Sequence, residues 1–192
     1  AKRLLWQNCG ELDAGEIQTA GIYGAIYDGA QWQLQGPTLQ APQMRTAGEI
    51  AAGVTPTAYA YPPGSVLRYG ADPTGAADSS AAWSNAIACN AVAFDDFPGG
   101  GSYLFNSSVT ISTFPKKIVG RISDATGTGG TKITLATAAG ASAAAFITAA
   151  NKPGFEFENI CVLHQTTTTG QIGWRFGEDS RFCRLTRCVG IG

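Results

Sequence analysis

Residues 66–88 read V-L-R-Y-G-A-D-P-T-G-A-A-D-S-S-A-A-W-S-N-A-I-A, residues 97–111 read F-P-G-G-G-S-Y-L-F-N-S-S-V-T-I, and residues 117–120 read K-I-V-G. Val66–Tyr69 is apolar and short, and predicts a strand. Gly70 to Gly75 form a turn cluster, since Gly supplies unusual φ and Asp72-Pro73 starts a turn. Asp78, Ser79 and Ser80 offer side-chain oxygens to cap a helix, which the Ala-rich run to about Ala91 continues. Pro98-Gly99-Gly100-Gly101 breaks the chain. Tyr103–Phe105, Val109–Ile111 and Lys117–Val119 then carry β-prone residues.

Strand, Gly-Asp turn, capped helix, Pro-Gly break and stacked short strands, in that order, resemble the opening of the pectate-lyase-like right-handed β-helix superfamily. The form it is similar to is that of bacteriophage tailspikes and tail fibres. The resemblance runs over residues 66–192, about two-thirds of the chain. It implies a helix that caps the end of the stack, strands that begin winding it, and a homotrimer.

The bulk composition fits a chain that solvates itself without many charges. Charged residues are 14% of the 192, against roughly 25% in ordinary soluble domains. The net charge of −1 makes no electrostatic case for nucleic acid or an anionic membrane. No apolar run reaches the roughly 18–20 residues of a membrane span, and no basic-then-apolar leader opens the chain. Ala1 stands where an initiator Met would, and Cys188–Gly192 reads as mid-strand, so a fragment of a longer chain is expected. The five cysteines (Cys9, Cys89, Cys161, Cys183 and Cys188) are odd in number and irregular in spacing, which predicts buried free thiols.

The expected fold class is mainly β, in three parts. Residues 1–35 form a small β module: Ile17–Thr19 and Tyr23–Tyr27 are strands, and Asp28-Gly29 signals a hairpin into Trp32–Leu34. The run over 21–34 is similar to small β modules near the attachment ends of phage tail fibres, though its residue chemistry alone favours a generic hairpin with Tyr27 and Trp32 as core aromatics. Residues 36–65 form a Pro-rich connector or neck with one short helix over Thr46–Ala52. Its Met44, Ile50 and Val54 need cover, which three connectors around a trimer axis would give. Residues 66–192 hold the cap helix and the first coils of a right-handed parallel β-helix, C-terminally incomplete.

Internal repetition supports that last reading. Phe155–Val162 aligns on Cys183–Gly190 at an offset of 28 residues, apolar on apolar at 155/183, 157/185 and 160/188. Ile172, Trp174 and Phe176 alternate with Gly173 and Arg175 as another strand of the same coil, and Thr166–Thr169 reads as an outward loop. The Ala-rich stretch 136–150 reads as coil and strand, because Gly140 interrupts any helix.

Glu156 and Glu158 are the candidate catalytic pair. On a strand they share a face, about 6.5–7 Å apart, a separation within the range of glycoside hydrolase acid pairs. The same alternation is what a solvated strand shows. Asp95 and Asp96 read as turn residues, Asp72 and Asp78 as turn and cap, and Glu178 and Asp179 as a corner. His164 is the only histidine and has no G-x-S-x-G elbow beside it. Residues 127–132 lack the Gly-Lys-Ser/Thr order of a phosphate loop and read as a tight turn. Trp83 reads as packing the cap helix, and Trp174 as interior. No metal or cofactor is expected.

The resemblance implies a tailspike or tail fibre subunit in the virion tail, made in the host cytoplasm without a signal peptide. Its N-terminal region would attach to the phage tail, baseplate or an adaptor. The rod would project a surface that recognises host polysaccharide, with no nucleic-acid partner and no membrane insertion. The alternative is a capsule or lipopolysaccharide depolymerase, a hydrolase or lyase, whose active site lies beyond these residues.

Overall fold

Tyr27 pairs with Trp32 where two strands run antiparallel, and the Asp28-Gly29 turn expected between them lies outside the described residues. A computed structural model describes residues 4–6, 24–27, 32–35, 45–113, 116–122, 130–140, 142–151, 153–164, 170–178 and 180–191. The chain divides into two units, 1–43 and 44–192. In the first, β2 (Gly24–Tyr27) runs antiparallel to β3 (Trp32–Gln35), and β1 (Leu4–Trp6) lies parallel on the other side of β3. The strand expected at Ile17–Thr19 lies outside the described residues. Residues 45–65, read from sequence as connector, lie in the second unit.

The second unit is mainly β and parallel. Its strands are β4 (Val92–Phe94), β5 (Ser102–Phe105), β6 (Val109–Ile111), β7 (Lys116–Val119), β8 (Thr131–Leu135), β9 (Ala144–Thr148), β10 (Phe155–Glu158), β11 (Ile160–His164), β12 (Ile172–Arg175), β13 (Arg184–Thr186) and β14 (Val189–Ile191). They form three sheets, ordered β4-β7-β10-β13, β5-β8-β11-β14 and β6-β9-β12, with every neighbour parallel. The chain thus visits the three sheets in a fixed cycle, and each circuit stacks on the one before. The expected 28-residue offset is the register of the last two circuits: Phe157 pairs with Leu185, and Cys161 with Val189.

Alternation within each strand puts one column of side chains inside and the next outside. Ala93, Ile118 and Phe157 stack in one inward column, and Tyr103, Ile133 and Val162 in another; all six are buried. Phe105, Phe146 and Phe157 carry an aromatic chain through the core, with tilted or edge-on contacts at ring separations of 5.8 and 5.2 Å.

Helix α2 (Ser80–Cys89) closes the first circuit. Its Trp83 is fully buried and meets Tyr103, Phe105 and Phe146 edge-on at 5.4, 6.1 and 6.0 Å. Asp78 starts the helix as expected: Oδ1 accepts from the Ser80 amide and hydroxyl, and also from the Asn106 amide. The chain ahead of the helix covers the sheet edges as well. Ser65 bridges to Phe94 of β4, and Asp78 bridges to Leu104 of β5, so neither first strand presents a bare edge there.

Two local expectations meet different outcomes. The short helix over Thr46–Ala52 forms as α1 (Ala47–Ala51), with Thr46 and Glu49 as a reciprocal capping box. Val66–Tyr69 is a 3-10 turn, not a strand. Only Ser65 finds a strand partner, and the turn swings Arg68 and Tyr69 onto Glu49. Stretch 136–150 is coil and strand as expected, a 3-10 turn over Thr137–Ala139 followed by β9. Cys89, Cys161, Cys183 and Cys188 are free thiols, half-buried where full burial was expected. Among the described residues no helix is long and apolar enough to cross a membrane.

Candidate functional site

The outer face of the first sheet carries the charged residues that the sequence singled out. In β10, Phe155 and Phe157 are buried, while Glu156 and Glu158 point outward. The register sets Glu156 between Lys117 of β7 and Arg184 of β13. Lys117 Nζ lies 2.9 Å from Glu158 and 3.6 Å from Glu156. Arg184 reaches Glu156 at 3.5 Å, and Arg187 reaches Glu158 at 2.6 Å. The result is a cross-strand ladder of alternating sign.

That ladder bears on the proposed chemistry. The hydrogen bond from Lys117, helped by Arg187, holds the Glu158 carboxyl below its ordinary pKa despite some desolvation. Glycosidic general acids need a carboxyl raised toward neutrality. Glu158 is shifted the other way, toward a permanent anion. Lys117 moves in complement: its hydrogen bond to Glu158 raises its ammonium pKa. Exposed pairs of this kind contribute little to folding. Lys117→Met is therefore expected to leave the urea midpoint nearly unchanged; a loss as large as that of a core truncation would overturn this reading.

Beside the ladder lies an open cleft of about 360 Å³, lined by Ala91, Lys116, Lys117, Gly154, Phe155, Glu156, Phe182 and Arg184. Phe182 is its unusual member. It is 85% exposed and has φ of 56°, in the left-handed region. That conformation costs a residue with a side chain about 1 kcal/mol or more. One circuit earlier the same place is taken by Gly154, with φ of 85°. The two stack across the corner, where the Gly154 amide donates to the Arg181 carbonyl at 3.0 Å. Phe182, on the last circuit, thus takes a backbone conformation that suits glycine. Strain of this kind clusters at binding and catalytic sites.

Lys116 supports the cleft from beneath. Its ammonium donates to the Asn90 carbonyl at 2.6 Å, and burial lowers its pKa. Sequence reasoning singled out Glu156 and Glu158 but not Phe182, Lys117 or Arg184. The signal for Phe182 was present in the 28-residue repeat: one step before 155/183, it sets Phe182 on Gly154.

The remaining candidates are placed as follows. Asp72 accepts from the Thr74 amide and hydroxyl and from the Ala77 amide, so it builds the turn. Asp95 is buried and accepts four hydrogen bonds, whereas Asp96 pairs with Arg121 at 3.3 Å on the surface. His164 ends β11 in the column of Phe105 and Leu135, half-buried, and its Nε2 has no partner among the described residues. Glu178 is exposed and its carbonyl accepts from the Asn151 amide; Asp179, residues 127–129 and the 166–169 loop lie outside the described residues. Lys132 belongs to β8 rather than to a phosphate loop. Trp174 lies half-buried against Phe157 at 6.3 Å. Among the described residues no three His, Cys, Asp or Glu side chains gather to hold a metal ion.

No protein-family model, curated protein or solved structure matches this chain.

Proposed function

We propose that residues 66–192 are the capped opening of a right-handed parallel β-helix, and that the chain is a trimeric phage tailspike or tail fibre subunit. The observation that carries this reading is the cyclic order of three parallel sheets under a capping helix. A strand crossing over to a parallel neighbour turns right-handed in nearly all proteins, which supports the hand. Strands stacked at about 4.8 Å per circuit make a stiff rod, fit to hold a recognition surface away from a particle. The separate β unit at 1–43 supplies an attachment module distinct from the rod. Ile50, 62% exposed on α1, is an apolar residue that a trimer axis would cover.

Within these residues Glu158, held ionised by its cations, is unsuited to the general-acid role. The partner is host-surface polysaccharide, and the location is the virion tail. Antibodies raised against residues 44–192 are expected to label virion tails by immunogold microscopy. The particle-derived protein is expected to give a native mass of three subunits. Unlabelled tails, or a stable monomer, would overturn the proposal.

A further inference from the structure

We infer that residues 45–61 form a strap that Arg68 holds on the first circuit, and that this strap opens as one unit while the parallel sheets stay folded. Opening frees a tether between the two units of the chain. In the phage reading that tether is the joint between attachment module and rod, but the opening itself does not depend on that reading.

The bonds of the strap converge on one place. Among the described residues, every hydrogen bond from 45–61 to the chain beyond it ends on Arg68 or Tyr69. The Arg68 guanidinium donates to both Glu49 carboxylate oxygens and to the Tyr61 carbonyl, the last at 3.0 Å. The Arg68 carbonyl accepts from the Thr57 and Ala58 amides at 3.0 and 3.1 Å. The Tyr59 ring lies against the same guanidinium, 5.1 Å from ring centre to Cζ. Helix α1, the pair 57–58 and the stretch 59–61 thus share one anchor, and they release together when it yields.

Apolar packing does not bind the strap as it binds the sheets. The buried core begins at Val66. From the strap, Val54 packs half-buried against that core and Pro56 is buried, whereas Ile50, Ala51, Ala52 and Ala60 are exposed. Segments with few buried apolar contacts open at lower free energy than a core does. A buried ion pair is costly to break from one side, yet adds little net stability against its own desolvation. Gly48 marks how closely the strap sits: a Cβ there would lie 2.3 Å from the Cys89 carbonyl oxygen, at the end of α2. Released and fully extended, residues 45–61 reach at most about 60 Å.

The test is native-state amide hydrogen exchange of the full chain in low urea. The amides of Ile50, Val54, Thr57 and Ala58 are all bonded in the closed strap. They are expected to exchange through one shared opening, about ten-fold or more faster than those of Gly120, Lys132 and Ala136, which bond between circuits. Gly48→Ala sets a methyl against Cys89 and touches neither charge of the ion pair. It is expected to speed the strap amides by a further factor of about ten and leave the other three unchanged. Strap amides that exchange only in step with Gly120, Lys132 and Ala136 would overturn the inference, as would strap amides with no protection in the native chain. Gly48→Ala speeding both sets alike, or neither, would do the same. Separate exchange in a chain absent from virion tails would overturn the phage reading and leave the strap standing.

Discussion

Glu49→Ala is expected to lower the stability of the second unit by about 3–5 kcal/mol, the range for removing one partner of a buried ion pair. Glu49 and Arg68 are both fully buried. Arg68 Nε donates to Glu49 Oε1 at 2.7 Å, and Nη2 donates to Oε2 at 3.1 Å. Tyr69 donates to Oε1 at 2.8 Å, and the Thr46 amide donates to Oε2 at 2.7 Å. Asn90, just after α2, donates to the Tyr69 oxygen at 2.9 Å. One carboxylate thus ties α1, the turn at 66–69 and the end of the cap helix together. Removing it leaves the Arg68 guanidinium buried without its counter-charge. A Glu49→Met, Arg68→Met double variant should recover most of the loss, because no orphan charge remains. Urea unfolding checks both. A cost below about 1 kcal/mol for Glu49→Ala would overturn the argument.

The same group sets an acid limit. Burial alone would raise the Glu49 carboxyl, but Arg68, the Thr46 amide and Tyr69 outweigh it and hold the pKa at about 2, against an ordinary 4.5. The folded value lies below the unfolded one, so between these values the unfolded chain binds more protons. The stabilisation is therefore complete above pH 4.5 and is lost as pH falls through about 2. The difference corresponds to about 3 kcal/mol. Glu49→Ala should flatten the stability profile across this window, read by urea midpoints from pH 5 to pH 2.

Asp95→Asn is expected to cost about 4 kcal/mol, from lost charged hydrogen bonds and a donor left without an acceptor. Asp95 sits between β4 and the Pro98–Gly101 turn and is 4% exposed. Oδ1 accepts from the Phe97 amide at 2.9 Å and the Tyr103 hydroxyl at 2.6 Å. Oδ2 accepts from the Gly101 amide at 2.7 Å and the Thr131 hydroxyl at 2.6 Å. A hydroxyl can rotate to accept, but a backbone N–H cannot. Each oxygen faces one backbone N–H, so either orientation of an asparagine sets its NH₂ group against a donor. The damage would spread to the next circuit, because Thr131 opens β8 and Gly100 touches Gly130. Gly100 has φ of 90°, and a Cβ there would lie 2.2 Å from the Gly130 carbonyl carbon. Asp96→Asn is the control, since that side chain only pairs with Arg121 at the surface. Equal thermal stability of the two variants would overturn the assignment.

Much of the fold was legible because it is written in local pattern. Phe155 and Phe157 alternate with Glu156 and Glu158, and the offset of 28 to Leu185 is the register itself. Asp78 signals a helix start, and the short helix expected over 46–52 forms as α1. Glu49 was not singled out in the sequence, and its capping role is seen only in the structure. Its second role depends on Arg68, 19 residues away, and no local pattern links the two. The strand expected at Val66–Tyr69 failed for the same reason: β-prone residues form a strand only where an edge accepts them, and here only Ser65 is accepted. Asp95 read as a turn residue, which it is, but its Thr131 partner lies 36 residues on. In the candidate site, the outward pair Glu156 and Glu158 was legible from alternation. The cleft was not, because Lys117 and Arg184 come from neighbouring circuits.

The sequence by itself determined the mainly β character, the 28-residue repeat, the helix after Asp78 and the alternation of inner and outer residues in strands such as Phe155–Glu158. These follow from side-chain period and from the few residues that tolerate a turn or cap a helix. Only the tertiary structure decided which charges meet, which carboxylate is buried and held ionised, and which corner takes a left-handed backbone. Those properties arise when successive circuits bring distant residues within about 3 Å, where desolvation and hydrogen bonding dominate.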